Sequence, residues 1–348
     1  MIRKTSLVVL STLVLGSACG GERGGTPALF TDGSGVRTVR TVVYDTIWSY
    51  GGIRDTILGA PTRLAAAPDS ALYVLDPMLQ QVVRLSPTGN LDWRWGNRGQ
   101  GPGELGNVRA FEVTPDGGLV LADSGNCRLV FLSPEGLLER EQAIVCSDFS
   151  LIEGVAALSS GDFVLDTNRR ADPWILVSAD GQQDSVEVPW SGFATMHFIQ
   201  RYGNVAASED DTWVFAFEAG NGWFTFQADT PLEMFPYVEH TEFPEIIVNR
   251  SEAGINSRTT WRMTRRPAYS GYAMDVWKDT MYVLPGGHTP HRLRVLDKYD
   301  VRSGRYLHSQ TLPDVTDSFA VTGDRVFVLD KRELHPQVIS LRLKGAER

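Results

Sequence analysis

Ala71-Leu-Tyr-Val-Leu-Asp76 follows the turn Pro68-Asp69 and leads to a second apolar run, Gln81-Val-Val-Arg-Leu85, which ends at Ser86-Pro-Thr-Gly89. Short runs of β-branched and aromatic residues bounded by such turn chemistry read as hairpins. The stretch returns as Gly118-Leu-Val-Leu-Ala-Asp123, Asp162-Phe-Val-Leu-Asp166, Thr212-Trp-Val-Phe-Ala-Phe217, Thr280-Met-Tyr-Val-Leu-Pro285 and Arg325-Val-Phe-Val-Leu-Asp330. First-hairpin turns precede each at Pro115-Asp-Gly117, Ser160-Gly161, Glu209-Asp-Asp211, Lys278-Asp279 and Thr322-Gly-Asp324. Third strands are expected at Arg128–Leu132, Trp174–Val177, Arg292–Leu296 and Val338–Leu343, with second hairpins at Ser133-Pro-Glu-Gly136, Ser178-Ala-Asp-Gly181 and Ser303-Gly304. A period of roughly 40–50 residues with four short strands per unit is the signature of propeller blades, because one four-stranded sheet cannot bury its faces alone. The expected fold class is all-β, a six-bladed β-propeller.

The sixth unit runs out of chain soon after Leu343, with no room for its outermost strand. Trp48-Ser-Tyr-Gly51 repeats Trp93-Arg-Trp-Gly96, the outermost strand of the first unit, so a segment near Val39 to Tyr50 is expected to complete the last blade. That closure removes an open sheet edge. One domain, residues 36–348, follows.

Arg3 and Lys4 precede an apolar run from Leu7 to Leu15 and then Gly16-Ser-Ala-Cys19. The run is too short to span a membrane, so residues 1–18 read as a secretory signal peptide. Leu15-Gly-Ser-Ala-Cys19 resembles a bacterial lipobox, although Gly16 stands where an apolar residue is usual, and this implies a lipid on Cys19. The alternative is cleavage before a free cysteine. Glycine-rich residues 19–35 read as a flexible tether. Without Arg3 and Lys4, 31 of the 33 basic residues face 42 acidic ones, a formal charge of −11. That balance excludes a phosphate-backbone partner, and nucleic acid with it. Cys127 and Cys146 flank the Ser133-Pro-Glu-Gly136 hairpin, which predicts a disulfide between them in an oxidising compartment; two unrelated buried thiols are the other reading.

The run Val82 to Leu138 contains Trp95-Gly-Asn-Arg-Gly-Gln-Gly-Pro-Gly-Glu104 and Ala122-Asp-Ser-Gly-Asn-Cys-Arg128. It resembles the NHL-repeat-like six-bladed β-propeller lipoproteins of bacteria, which carry an aspartate-small-glycine-asparagine-x-arginine pattern after the second strand and a Gly-x-Gly-Pro-Gly-Glu loop between blades. The match covers Arg63 to Glu141, and later blades keep the strand rhythm without the asparagine–arginine pair. The resemblance implies an extracytoplasmic protein anchored to the bacterial cell envelope, on the outer-membrane or periplasmic side, in a family mostly without assigned activity.

Functional chemistry is expected at the channel mouth and on its loops. The Gly99–Glu104 loop reads as a structural turn rather than a phosphate cradle, because Pro102 removes a backbone donor and no helix follows. Asp76, Asp123, Asp166 and Asp330 end second strands and read as turn-capping residues. One face, here the top, collects the unusual loops: the Gly-Pro-Gly-Glu loop, Thr167–Pro173, Pro285–His291, Lys331–Pro336 and an insertion from about Pro236 to Tyr269. In it Trp261, Arg265, Arg266 and Tyr269 form a basic and aromatic cluster; with His288 and Arg63 they are the candidate ligand-binding residues, since arginine and aromatics dominate binding hot spots. A lid with arginines paired to carboxylates is the competing reading. Aligned on their first hairpins, the blades place Arg63, Ala110, Glu153, Asn204, Tyr272 and Asp317 at the channel mouth. Glu153, Asn204 and Asp317 are hard oxygen ligands suited to calcium, in an arrangement similar to that of the calcium-dependent propeller lactonases and esterases. An Arg63–Asp317 salt bridge among mutually paired channel residues explains the same set without metal. No Gly-x-Ser-x-Gly, His-Glu-x-x-His or Cys-x-x-Cys occurs. Two functions stand: a tethered module binding an unknown protein or small molecule on its top face with no cofactor, or a calcium-dependent hydrolase or lyase.

Overall fold

The computed structural model describes residues 22–23, 35–52, 58–145, 151–167, 173–188, 190–239, 241–251, 258–263, 269–287, 290–331 and 335–344. Four antiparallel strands make each blade, running from axis to rim. Blade one is Arg63–Ala66, Leu72–Asp76, Gln81–Leu85 and Leu91–Trp95; blade two is Val108–Val113, Leu119–Asp123, Arg128–Leu132 and Leu138–Ala143. Blade three is Gly154–Ala157, Phe163–Asp166, Trp174–Val177 and Gln183–Ser185; blade four is Gly203–Ala207, Thr212–Phe217, Gly222–Gln227 and Thr230–Pro236. Blade five is Ala273–Trp277, Thr280–Leu284, Val295–Asp300 and Tyr306–Thr311. Blade six is Ser318–Thr322, Arg325–Asp330 and Gln337–Leu343, with Tyr44–Gly51 as its outermost strand. Inner strands touch in cyclic order, six to one included, so the blades form a closed ring.

The second strands are continuous apolar runs because both of their faces are buried. In Leu72–Asp76, Leu72 and Val74 pack toward blade six while Tyr73 and Leu75 pack toward blade two. This period-two division recurs around the ring, and among the described residues six apolar clusters fill the six gaps between blades. Outermost strands lock onto the next blade. Trp48 lies over Gly89, where an added Cβ would come within 2.6 Å of its ring, and its Nε1 donates to Pro87 O at 3.0 Å. Trp93 repeats this over Gly136, donating to Pro134 O at 2.9 Å. Both glycines have positive φ, 85° and 81°, so turn and stacking each require a residue without a side chain.

Two expectations change in detail. Tyr44–Gly51 does pair antiparallel with Gln337–Leu343, but Val39–Arg40 runs parallel to Tyr306–Thr311 and so widens blade five. Arg37 fixes that path, donating to both Asp297 carboxylate oxygens at 3.0 and 2.8 Å and to Glu239 Oε2 at 2.7 Å. The third strand of blade five is Val295–Asp300 rather than Arg292–Leu296, because Leu293 is still turning, at φ 55°, with its N–H donated to Pro285 O at 2.8 Å.

No helix among the described residues is long and apolar enough to cross a membrane. The signal segment and Cys19 lie outside the described residues. Glu22–Arg23, inside the stretch read as a tether, pairs with Ile246–Ser251 of the insertion, whose other edge pairs with Arg258–Met263. An unpaired strand edge offers donors and acceptors that a passing extended segment can satisfy.

Candidate functional site: the two mouths of the central channel

Loops after second strands and the starts of inner strands share the top end of the axis, and first-hairpin turns share the bottom. A cavity of about 330 Å³ at the top is lined by Arg63, Glu153, Asn204, Tyr272 and Asp317, so five of the six positions aligned in the sequence converge. Ala110 does not join them. A register shift between Val108 and Ala110 turns Ala110 into the core, fully buried, and sends Arg109 outward in its place. Arg109 Nη1 then lies 3.3 Å from Glu153 Oε1.

Glu218, which follows the second strand of blade four, and Lys331, which follows that of blade six, also line the cavity, with Tyr202, Glu112 and Asp275. Sequence alignment missed Glu112 and Asp275 because they sit deeper along inner strands whose facing is set by strand tilt and bulges rather than by side-chain pattern. The Arg63 guanidinium turns away from Asp317: its Nη2 donates to the Glu153 carbonyl at 2.6 Å, across the mouth. Asn204 Nδ2 donates to Gly271 O at 3.1 Å. Among the described residues no three histidine, cysteine or acidic side chains converge on a point that could hold a metal.

Acids dominate the lining, and their titration follows from burial. Glu218 is pushed up to about 7 by burial, with Arg63 opposing and Glu153 reinforcing the shift. Glu112 is pushed up to about 8 by burial and by the Asp275 charge, and Asp275 to about 7 by burial. Burial lowers the Lys331 ammonium, and Asp317 offsets part of that. Burial also raises the Tyr272 phenol, Asp317 adding to it.

The top rim carries part of the expected binding cluster. Tyr269 stands edge-on to Tyr272 at 6.1 Å between ring centroids. The backbone of Trp261 lies in Arg258–Met263, opposite Val248. Arg265, Arg266 and His288 lie outside the described residues, as do parts of the Thr167–Pro173, Pro285–His291 and Lys331–Pro336 loops. The base of the insertion packs onto the blades: the Tyr237 hydroxyl donates to Phe217 O at 2.9 Å and Val238 N–H to the Tyr299 hydroxyl at 3.0 Å.

The family-like motifs join one another physically. Asn126 Nδ2 donates to Gly99 O at 3.0 Å, and Arg128 Nη2 to Glu104 O at 2.6 Å and Gly101 O at 3.3 Å, while Glu104 Oε2 accepts from Gly101 N–H at 2.8 Å. The asparagine–arginine pair therefore holds the Gly-Pro-Gly-Glu loop, consistent with a structural role. Asp123 accepts from Gly106 and Asn107 N–H, each at 3.0 Å, and Asp76 likewise from Gly59 at 2.6 Å and Ala60 at 3.1 Å, so these aspartates cap the loop entering the blade as well as their own turn. Cys127 is disulfide-bonded; Cys146, its expected partner, lies outside the described residues.

No protein-family model matches the sequence, and no curated protein is similar to it. Solved structures are. The chain is similar to a streptogramin B lyase at 12% identity and a TM-score of 0.52, over 85% of this chain and 98% of that one. A catalytically inactive virginiamycin B lyase from Staphylococcus aureus with quinupristin matches at 9% identity and a TM-score of 0.52, over 92% of this chain and 98% of that one. A DUF4221 member from Bacteroides vulgatus matches at 9% identity and a TM-score of 0.54, over 88% of this chain and 99% of that one. Likeness at such identities concerns fold alone, and the fold of this chain is a six-bladed β-propeller closed by an N-terminal strand.

Proposed function

We propose that the protein is an extracytoplasmic propeller of the NHL-like lipoprotein kind, tethered to the bacterial envelope through Cys19 and residues 19–35, that binds a ligand or protein at its top mouth. The observation carrying this reading is the convergence of Arg63, Glu153, Asn204, Tyr272 and Asp317 from five blades on one polar cavity of about 330 Å³. A concave site of that size with convergent polar groups is the form small-molecule sites take. Trp261, Arg265, Arg266, Tyr269 and His288 would supply contacts at the rim, where arginine and aromatic side chains contribute most.

The second reading places a calcium ion on Glu153, Asn204 and Asp317 and makes the protein a hydrolase or lyase. Glu153 and Asp317 do line the same cavity, and lyases occur among the structural neighbours. Glu153 is already beside Arg109, which competes with an ion for its carboxylate, whereas Asn204 turns its Nδ2, not its oxygen, to Gly271. Thermal unfolding of the mature protein with EDTA and with added calcium separates the two. A melting temperature indifferent to both, with partner capture lost in Arg265→Ala, supports binding. A large chelator-dependent fall that Glu153→Gln abolishes would replace it with the calcium enzyme, to be followed by an ester and lactone screen.

A further inference from the structure

The channel continues below the top cavity. Glu112 of blade two and Asp275 of blade five, which stand on opposite sides of the ring, also line a second cavity of about 370 Å³ that opens among the first-hairpin turns. Among the described residues their carboxylates accept only backbone donors: Val113 N–H to Glu112 Oε1 at 2.8 Å, Val276 N–H to Asp275 Oδ1 at 2.8 Å and Val321 N–H to Asp275 Oδ2 at 2.7 Å. Arg63, which acts electrostatically on Glu112, is held at the top by the Glu153 carbonyl, and Lys331 stands at the top as well. The lower walls combine Trp277, Val113, Val276 and Val321 with the hydroxyl residues Thr114, Ser159 and Ser208, and Glu209 and Lys278 both line the rim.

We propose that this bottom mouth binds a small organic ammonium ion, its apolar body against Trp277 and the valines and its charged head between Glu112 and Asp275. Carboxylates are acceptor-only groups and an ammonium is donor-only, so the head supplies what the floor lacks. The Trp277 indole favours the same ligand through cation–π attraction. The top mouth suits it less, because Arg63 and Lys331 both stand there beside its acids, whereas the lining of the bottom mouth sets the single cation Lys278 against the ligand. Titration is consistent with this. Burial and mutual repulsion hold Glu112 up to about 8, and burial holds Asp275 up to about 7, so an empty floor carries protons at neutral pH that an entering cation displaces. The other titratable groups around the pair are Arg63, Glu153, Glu218, Asp317 and Lys331 above, with the phenols of Tyr202 and Tyr272, then Glu209 and Lys278 at the lower rim, and Tyr282, whose phenol feels Asp275.

The test is calorimetric titration of the mature protein with phenethylammonium, its neutral isostere 2-phenylethanol and the anion 3-phenylpropionate. The ammonium should bind at least about tenfold more tightly than the alcohol, which corresponds to about 1.4 kcal/mol. Its affinity should rise between about pH 6 and pH 8.5, with a buffer-dependent heat that reports proton release. Glu112→Gln and Asp275→Asn should each weaken the ammonium by about tenfold, and Trp277→Ala should weaken ammonium and alcohol alike. Glu153→Gln, in the top cavity, should leave this binding unchanged. Equal affinity for the alcohol, no binding at about 10 mM, or loss of binding in Glu153→Gln alone would each overturn the assignment. The comparison among ligands on the unmutated protein stands even where a channel variant fails to fold.

Discussion

Blade two ends its second strand in Asp123, whose buried carboxylate gathers the N–H groups of Gly106 and Asn107 while Asn126 and Arg128 grip the loop 99–104. Blade four ends the same strand in Phe217, edge-on to Phe243 at 5.1 Å and to Phe224 at 5.5 Å, beside a cluster in which Trp174, Phe193, Trp213, Phe215 and Phe226 are all buried. Both devices anchor the chain as it returns from rim to axis. Hydrogen bonds do so through a few residues at fixed spacing, which is why blade two carries a recognisable motif. Aromatic burial is non-directional and tolerates many arrangements, so blade four keeps the fold without the motif.

Mutations can break this contrast. Trp174→Ala should be the most damaging, about 3–5 kcal/mol by chemical denaturation, because a fully buried indole packed among the aromatic rings of blade four leaves a large cavity. Asp123→Ala should cost about 2–3 kcal/mol, since it strands buried backbone donors, and Asp123→Asn should recover part of that. If Asp123→Ala were the milder by much more than this, the polar clamp would be ornament. Arg128→Lys should cost about 1–2 kcal/mol, and hydrogen exchange should show the loss confined to residues 99–104, because a point charge cannot serve both carbonyls. Trp93→Phe keeps the stacking on Gly136 and loses one hydrogen bond, so about 1 kcal/mol is expected.

The same contrast can be read by pH. Asp123 has backbone donors in place, whereas Glu112 lies in the field of Asp275. For Glu112 the folded value, about 8, lies above the ordinary 4.5, and for Asp275 about 7 lies above 3.8. The folded state therefore binds the extra protons, and the stability they supply is complete below the ordinary values and lost as pH rises through about 7 to 8. Melting temperature should decline from about pH 5 to pH 8.5 without ligand, and Glu112→Gln should flatten the decline.

Much of this was legible in the sequence because the second strands are buried on both faces. Thr212–Phe217 and Arg325–Asp330 match to the residue, and the others within one. The closing strand was legible because Trp48 and Trp93 do the same job on Gly89 and Gly136. Ala110 and Arg292–Leu296 were misread for a common reason: a one-residue bulge and a leucine in the left-handed region change facing without changing composition. At the channel, the mouth positions followed from blade alignment. The paired carboxylates at its waist did not, since Glu112 and Asp275 meet only when opposite blades are brought face to face.

Tyr44–Gly51 precedes blade one in the chain, yet its partner strand ends at Leu343. Five blades can stack in chain order, each on its predecessor. The ring cannot close until almost 300 further residues are available to fold. Until then blade one has an unsealed flank where blade six will pack, and the waiting strand is an extended edge in search of a partner. Completion of this protein is therefore a single late event set by the pairing of Tyr44–Gly51 with Gln337–Leu343, and the interval before it is when neighbouring copies could exchange that strand.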